Sequence, residues 1–141
     1  MIIRPYLVAD SQFTWGLEYV DPDLMGKMIE NNANPQTYYL CTSDRYPGKI
    51  AFRVIGTENN YLVNVNNDDG WLESAAVDAD FTNATFNMKL DHWYTGYAAF
   101  TMGSPSSDYY IRHWAYKLKL NPDDSSTIFK EDSSFSVQYV Y

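Results

Sequence analysis

Asp108-Tyr109-Tyr110-Ile111-Arg112-His113, followed nineteen positions after the histidine by Asp132, decides how this chain is read. The same spacing recurs upstream in weaker form. With Phe13, Tyr61 and Tyr110 set as equivalent anchors, the intervals are 48 and 49 residues (61−13 and 110−61). Each anchor is followed at the same distance by a second aromatic: Tyr38, Phe86 and Phe135 (38−13 = 86−61 = 135−110 = 25). Each is preceded by an apolar centre at Ile3, Phe52 and Phe100, ten, nine and ten residues earlier. The chain therefore reads as three copies of one unit, and a period of that length governs every local signal.

The copies share short runs that alternate apolar and polar residues. In the second copy these are Ala51-Phe52-Arg53-Val54, Tyr61-Leu62-Val63-Asn64 and Ala84-Thr85-Phe86-Asn87-Met88. The third repeats them as Ala99-Phe100-Thr101-Met102, Tyr110-Ile111-Arg112-His113 and Phe135-Ser136-Val137-Gln138-Tyr139. Turn-forming clusters lie between them: Asp44 to Gly48, Asn66 to Gly70, Gly103 to Ser107 and Asn121 to Ser126. Short strands with regular turn signals predict an all-β protein. Three copies with four short strands each predict a β-trefoil, one domain over 1–141 with repeats of about 45–49 residues at 1–48, 49–96 and 97–141. A sandwich or a three-bladed arrangement is the competing architecture, and propellers need more blades.

Composition agrees with one packed domain. At 141 residues, about 68–70% of the unfolded chain's surface should be buried. Aromatic residues make up 17%, with 13 Tyr and 4 Trp, enough to supply a core and leave some for a contact surface. The net charge of −8 disfavours nucleic acid, which needs clustered Lys and Arg, and equally an anionic membrane. The single Cys41 excludes an internal disulfide and reads as a buried inert thiol in a strand. One Cys and two His leave no zinc site, and no cofactor is implied. The N-terminus does not read as a signal peptide. The expected location is cytoplasmic if the chain is complete, and extracellular if it is a domain cut from a secreted enzyme.

The first copy is the least regular. Asp21-Pro22 followed by Asp23 to Glu30 reads either as a short helix capped by Asp21 or as a loop with a strand remnant.

Tyr109-Tyr110-Ile111-Arg112-His113, Lys117 to Ser126, and Ile128-Phe129-Lys130-Glu131-Asp132-Ser133-Ser134-Phe135 together resemble one repeat of the arabinofuranose-binding module of α-L-arabinofuranosidase B, carbohydrate-binding module family 42. The family pattern is an aromatic pair and an aliphatic residue before Arg-His, then Asp-Ala-Thr-Phe nineteen residues after the His. Here the last piece is Asp132-Ser133-Ser134-Phe135, and in the second copy Asn83-Ala84-Thr85-Phe86. The match is tight over the third copy, fair over the second and visible only as spacing in the first. The resemblance implies a β-trefoil with one shallow pocket per repeat, in which a His and an Asp hydrogen-bond an arabinofuranose side chain. Carried over, the third copy keeps His113 and Asp132, the second has Asn64 and Asn83, and the first has Gly16 and Pro35. One competent pocket follows, with the second weakened and the first lost.

The chemistry of the pair suits a neutral sugar. A carboxylate accepts from two hydroxyls, and a neutral imidazole both donates and accepts. Tyr109, Tyr110 and Trp114, close in sequence, would supply an apolar face. The structural alternative is that His113 and Asp132 bond to each other and merely close the repeat. The six anchor aromatics read as a threefold core layer. Trp15, Trp71, Trp93 and Trp114 are not assigned by the repeat. Trp93, in Asp91 to Tyr97, belongs either to an exposed patch or to a packed loop, and His92 reads as surface. The acidic residues Asp68, Asp69, Asp78 and Asp80 read as solvated turns, without a calcium-loop spacing. Asn83-Ala84-Thr85 is formally a glycosylation acceptor.

No phosphate loop, nucleophile elbow or zinc-protease helix is present. A small trefoil also lacks a deep cleft that could oppose two catalytic acids. The expected function is a non-catalytic module binding arabinofuranose or a similar glycan side chain, with a tethered glycoside hydrolase as a possible partner. The rival is a protein-interaction trefoil, such as a protease inhibitor or structural accessory domain, whose contact lies in a loop.

Overall fold

Lys117-Leu118-Lys119-Leu120 sets charge against leucine at every step, and the chain folds it accordingly: both leucines are buried and both lysines half-buried. That segment is one strand in a computed structural model that describes residues 2–6, 13–20, 23–30, 38–42, 48–64, 72–76, 84–102 and 109–138. In chain order the described strands are β1 (Ile2–Pro5), β2 (Phe13–Val20), β3 (Asp23–Glu30), β4 (Tyr38–Thr42), β5 (Ile50–Val54), β6 (Asn60–Asn64), β7 (Leu72–Ala76), β8 (Asn87–Leu90), β9 (Ala98–Met102), β10 (Tyr109–Trp114), β11 (Lys117–Pro122) and β12 (Phe135–Gln138). A six-residue helix, α1 (Thr127–Asp132), separates β11 from β12.

The pairing is cyclic. β2–β3, β6–β7 and β10–β11 are antiparallel hairpins. β4 pairs with β5, β8 with β9, and β12 returns to β1, where Ile2 faces Gln138. The hairpins meet through β3, which pairs with β11 at Lys27–Lys117 and with β7 at Met25–Glu73. This pattern is that of a β-trefoil. It leaves the two ends of the chain paired to each other, so β1 has no open edge toward β12.

Trp15 sits at the centre of the core. Its ring centroid lies 5.2 Å from Phe52, 5.3 Å from Phe100, 5.0 Å from Phe135 and 6.5 Å from Tyr38. Tyr38, Phe86 and Phe135, spaced by the sequence period, are all fully buried. The Tyr38 hydroxyl finds a partner in the Gly16 carbonyl at 2.9 Å, and burial pushes its pKa up. Of the three first anchors only Tyr110 is buried; Phe13 and Tyr61 are half-buried. The burial pattern sets Trp15 level with Leu62 and Ile111, all in the main cluster. The first copy is thus offset by one residue from the spacing of its aromatics. Leu17 rather than Gly16 stands level with His113, and neither has a polar side chain.

Three local expectations are corrected or refined. Residues 23–30 form a strand, not a helix, because all eight pair with β2, from Phe13–Glu30 to Val20–Asp23. Gly26 already weakened the helical reading. Its role is a close approach: a Cβ there would lie 2.7 Å from Leu62 Cδ1. Ala84 to Phe86 precede β8, and Phe86 makes only a bridge to Ile50, with N–H to carbonyl distances of 2.8 and 2.9 Å. The run Asn121 to Ser126 is strand at its first two residues and loop thereafter. Trp71, Asn83, Pro35, Asn66–Gly70, Asp78, Asp80, Gly103–Ser107 and Asp44–Pro47 lie outside the described residues.

The β10–β11 turn is formed by Ala115 and Tyr116, with φ of 49° and 65°. Hairpin turns of this hand favour Asn-Gly, since a Cβ is crowded there. The conformation is held by docking: the Tyr116 carbonyl accepts from Met28 N–H at 2.6 Å, and its ring lies 5.2 Å from Phe13. Ala115 is exposed and makes no such contact. Ala115→Gly is therefore expected to stabilise the domain by about 0.5–1 kcal/mol, the steric relief less the glycine entropy. Urea denaturation of the two proteins tests this, and a destabilised variant would contradict it.

Candidate functional site

Strand β10 carries apolar residues toward both of its faces, and so is covered on both. Ile111 points into the main core. Tyr110 and Arg112, on the opposite face, meet a smaller cluster of Ala99, Tyr110 and Phe129, with Trp93 packed against it. Helix α1 supplies Phe129. Ser126 caps that helix, its hydroxyl accepting from Phe129 N–H at 3.1 Å. Six residues later the helix ends on Asp132, whose carboxylate is delivered to the end of β10.

Asp132 is shared there. Its Oδ2 pairs with Arg112 Nη2. Its Oδ1 lies 3.7 Å from His113 Nε2, longer than a hydrogen bond. The His113 and Asp132 side chains are largely buried, 14% and 12% exposed, and His113 Nε2 is itself covered. The His113 ring edge rests against Phe135, with centroids 6.2 Å apart. The Arg112 guanidinium lies between two rings, 5.1 Å from Phe129 and 4.9 Å from Trp114. Its Nε is buried and has no hydrogen-bond partner among the described residues.

The structure thus brings His113 and Asp132 together across nineteen residues, but not by the direct bond that would merely close the repeat. Arg112 was missing from the sequence expectation. The signal was present: an Arg inside an aromatic-rich strand needs a counter-charge, and Asp132 was at hand. The three aromatic candidates divide. Tyr109, 43% exposed, opens the strand on the same face as His113. Trp114, 57% exposed, stands on the opposite face, beside Arg112. Tyr110 is not a surface platform. It is 7% exposed, packed 4.9 Å from Trp93 and 6.0 Å from Phe129. Trp93 accordingly belongs to a packed loop. In the second repeat Asn64 donates its amide to Met102 Sδ at 3.8 Å. Among the described residues no group of three His, Cys, Asp or Glu side chains is placed to hold a metal.

His92 is exposed, as expected, and lies 3.1 Å from the Tyr110 hydroxyl through Nε2. Burial, then the charge of Lys89, lowers its pKa, against an opposing pull from Asp123. The native contacts therefore favour the neutral ring, which shares a hydrogen bond with the Tyr110 hydroxyl. Its contribution is complete above the unfolded histidine value of about 6.5 and is lost as pH falls through the lower folded value. The stability difference between the wild type and His92→Gln should shrink on acidification below that point. Urea midpoints at pH 8 and pH 5 measure it, and a pH-independent difference would contradict this account.

This β-trefoil, in which Arg112 and His113 share Asp132, is a carbohydrate-binding module. Residues 50–140 match the model of the alpha-L-arabinofuranosidase B (ABFB) domain. The chain belongs to that family. The match covers the second and third repeats read from the sequence. No curated protein sequence matches the chain. Among solved structures, it is similar to a mosquitocidal holotoxin (TM-score 0.73, 11% identity, covering 99% of this chain and 17% of that one). It is similar to an arabinofuranosidase complexed with arabinofuranosyl-alpha-1,2-xylobiose (TM-score 0.72, 17% identity, 96% of this chain and 30% of that one). It also resembles the BEL beta-trefoil in an apo form (TM-score 0.62, 14% identity, 96% and 90%). At such identities the likeness is one of fold. The chain spans less than a third of the first two proteins and nearly all of the third.

Proposed function

We propose that this chain is a non-catalytic module that binds arabinofuranose, or a similar glycan side chain, mainly through the third repeat. The observation that carries the reading is the carboxylate of Asp132, fixed by Arg112 on one oxygen and presented toward His113 with the other. A carboxylate held in place loses little rotamer freedom on meeting a hydroxyl. His113 and Asp132 would form the floor of a shallow recess and address the sugar's hydroxyls, and Tyr109, 43% exposed, would stand at its rim. Asn64 and Asn83 would form a weaker, uncharged second pocket, and the first repeat would have none. The three repeats, 1–48, 49–96 and 97–141, act as one unit. Family membership supports sugar recognition, and the fold likeness to part of an arabinofuranosidase supports tethering to a glycoside hydrolase.

A single shallow site of this type has a Kd on the order of 1 mM, so tethering or multivalency would provide the useful avidity. Titration with arabinan, arabinoxylan and a panel of monosaccharides, followed by tryptophan fluorescence, tests the reading. Saturable binding is expected, and His113→Ala should weaken it at least tenfold while leaving the urea midpoint near that of the wild type. Absence of saturation with every sugar would sink the proposal and turn attention to a protein partner.

A further inference from the structure

The face of β10 opposite His113 carries a depression that the His113–Asp132 recess does not use. It has a volume of about 350 Å³ and is lined by Arg112, Trp114, Lys119, Asn121, Pro122 and Asp124. The hairpin register explains the grouping: Arg112 faces Lys119 and Tyr110 faces Asn121, so these side chains share one face. Trp114 is the platform. One side of its ring is covered by the Arg112 guanidinium at 4.9 Å, yet the residue remains 57% exposed. A half-covered indole is held still with a flat apolar face toward solvent, which is what the C–H face of a sugar ring packs on.

The polar lining suits a neutral ligand. Arg112 is already balanced by Asp132, and Lys119 and Asp124 carry opposite charges. Asp124 is held in place by accepting from Ser126 N–H at 2.9 Å. Lys119 and Asn121 can donate to hydroxyls, and Asp124 and the Asn121 carbonyl can accept. Arg112, which lines the depression, pairs with Asp132 Oδ2, and the other carboxylate oxygen lies 3.7 Å from His113 Nε2, so the carboxylate links the two places.

We propose that this depression is a second sugar subsite, which takes a neutral main-chain sugar of the glycan whose side chain is held at His113 and Asp132. This rests on the assignment of the recess made above. The module then reads two linked sugars rather than one terminal sugar.

The test compares methyl α-L-arabinofuranoside with arabinofuranosyl-α-1,2-xylobiose, both titrated into the full chain by NMR. The trisaccharide is expected to bind about tenfold more tightly, and it alone should shift the Trp114 indole and the Lys119 and Asn121 amides. Lys119→Ala and Asn121→Ala should remove most of that advantage and leave the affinity for the methyl glycoside unchanged. Trp114→Ala should weaken trisaccharide binding further. Equal affinities for the two ligands, or a trisaccharide advantage untouched by all three variants, would overturn the second subsite while leaving the recess in place. Failure of both ligands to bind would overturn the recess itself and the subsite with it.

Discussion

Asp132→Ala is expected to lower the unfolding free energy by about 3–5 kcal/mol, because it strands the buried Arg112 guanidinium without its counter-charge. The cost follows from the surroundings. Arg112 lies between the rings of Phe129 and Trp114, where water replaces the lost carboxylate poorly. Its Nε already lacks a hydrogen-bond partner among the described residues. Asp132→Asn keeps the volume and one acceptor and should cost less. Replacing the pair together, as Arg112→Met with Asp132→Leu, should restore most of the stability, since the desolvation of both charges is removed. Urea denaturation of the single and double variants measures this. A loss below about 1 kcal/mol in Asp132→Ala would mean that the pair is effectively solvated. The result also bears on sugar binding: Asp132→Ala cannot separate a lost ligand contact from a damaged fold. His113→Ala leaves the Arg112–Asp132 pair in place and so separates the two better.

Trp15→Ala is expected to cost about 3–5 kcal/mol, as for a large aromatic removed from a core that collapses only partly. Four rings, Tyr38, Phe52, Phe100 and Phe135, face the void from strands in all three repeats. No single strand can shift to fill it without disturbing the others. The Trp15 indole Nε1 is buried with no hydrogen-bond partner among the described residues. Trp15→Phe deletes that unsatisfied donor along with part of the volume, so it should be much less damaging than the alanine. Thermal and urea midpoints of the two variants test the ordering. Equal losses would contradict this account, because a phenyl ring would then recover none of the packing.

The parts of the site differ in how legible they were. His113 and Asp132 stand out because their spacing recurs, even where the residues have changed to Asn64 and Asn83. The expectation that Tyr109, Tyr110 and Trp114 share one apolar face with His113 neglected strand alternation. Adjacent residues on a strand point to opposite faces, so proximity in sequence never implied one shared platform. Tyr110 was harder. Its ring is covered by Trp93 and Phe129, one from the loop before β9 and one from a helix whose only local signal was Ser126 ahead of a short apolar run.

The sequence by itself pointed to an all-β fold of the trefoil class. Aromatics recurring at Tyr38, Phe86 and Phe135 mark a repeated unit, and all three are buried in one core. It also determined which repeat keeps an ionisable pair. Only the tertiary structure decided that residues 23–30 extend along β2, that the first copy is offset by one residue, and that Asp132 answers to Arg112 as well as to His113. Those outcomes depend on pairing and burial between segments far apart in the chain. Hydrogen bonding to a neighbouring strand and the desolvation of a buried charge outweigh any local preference there.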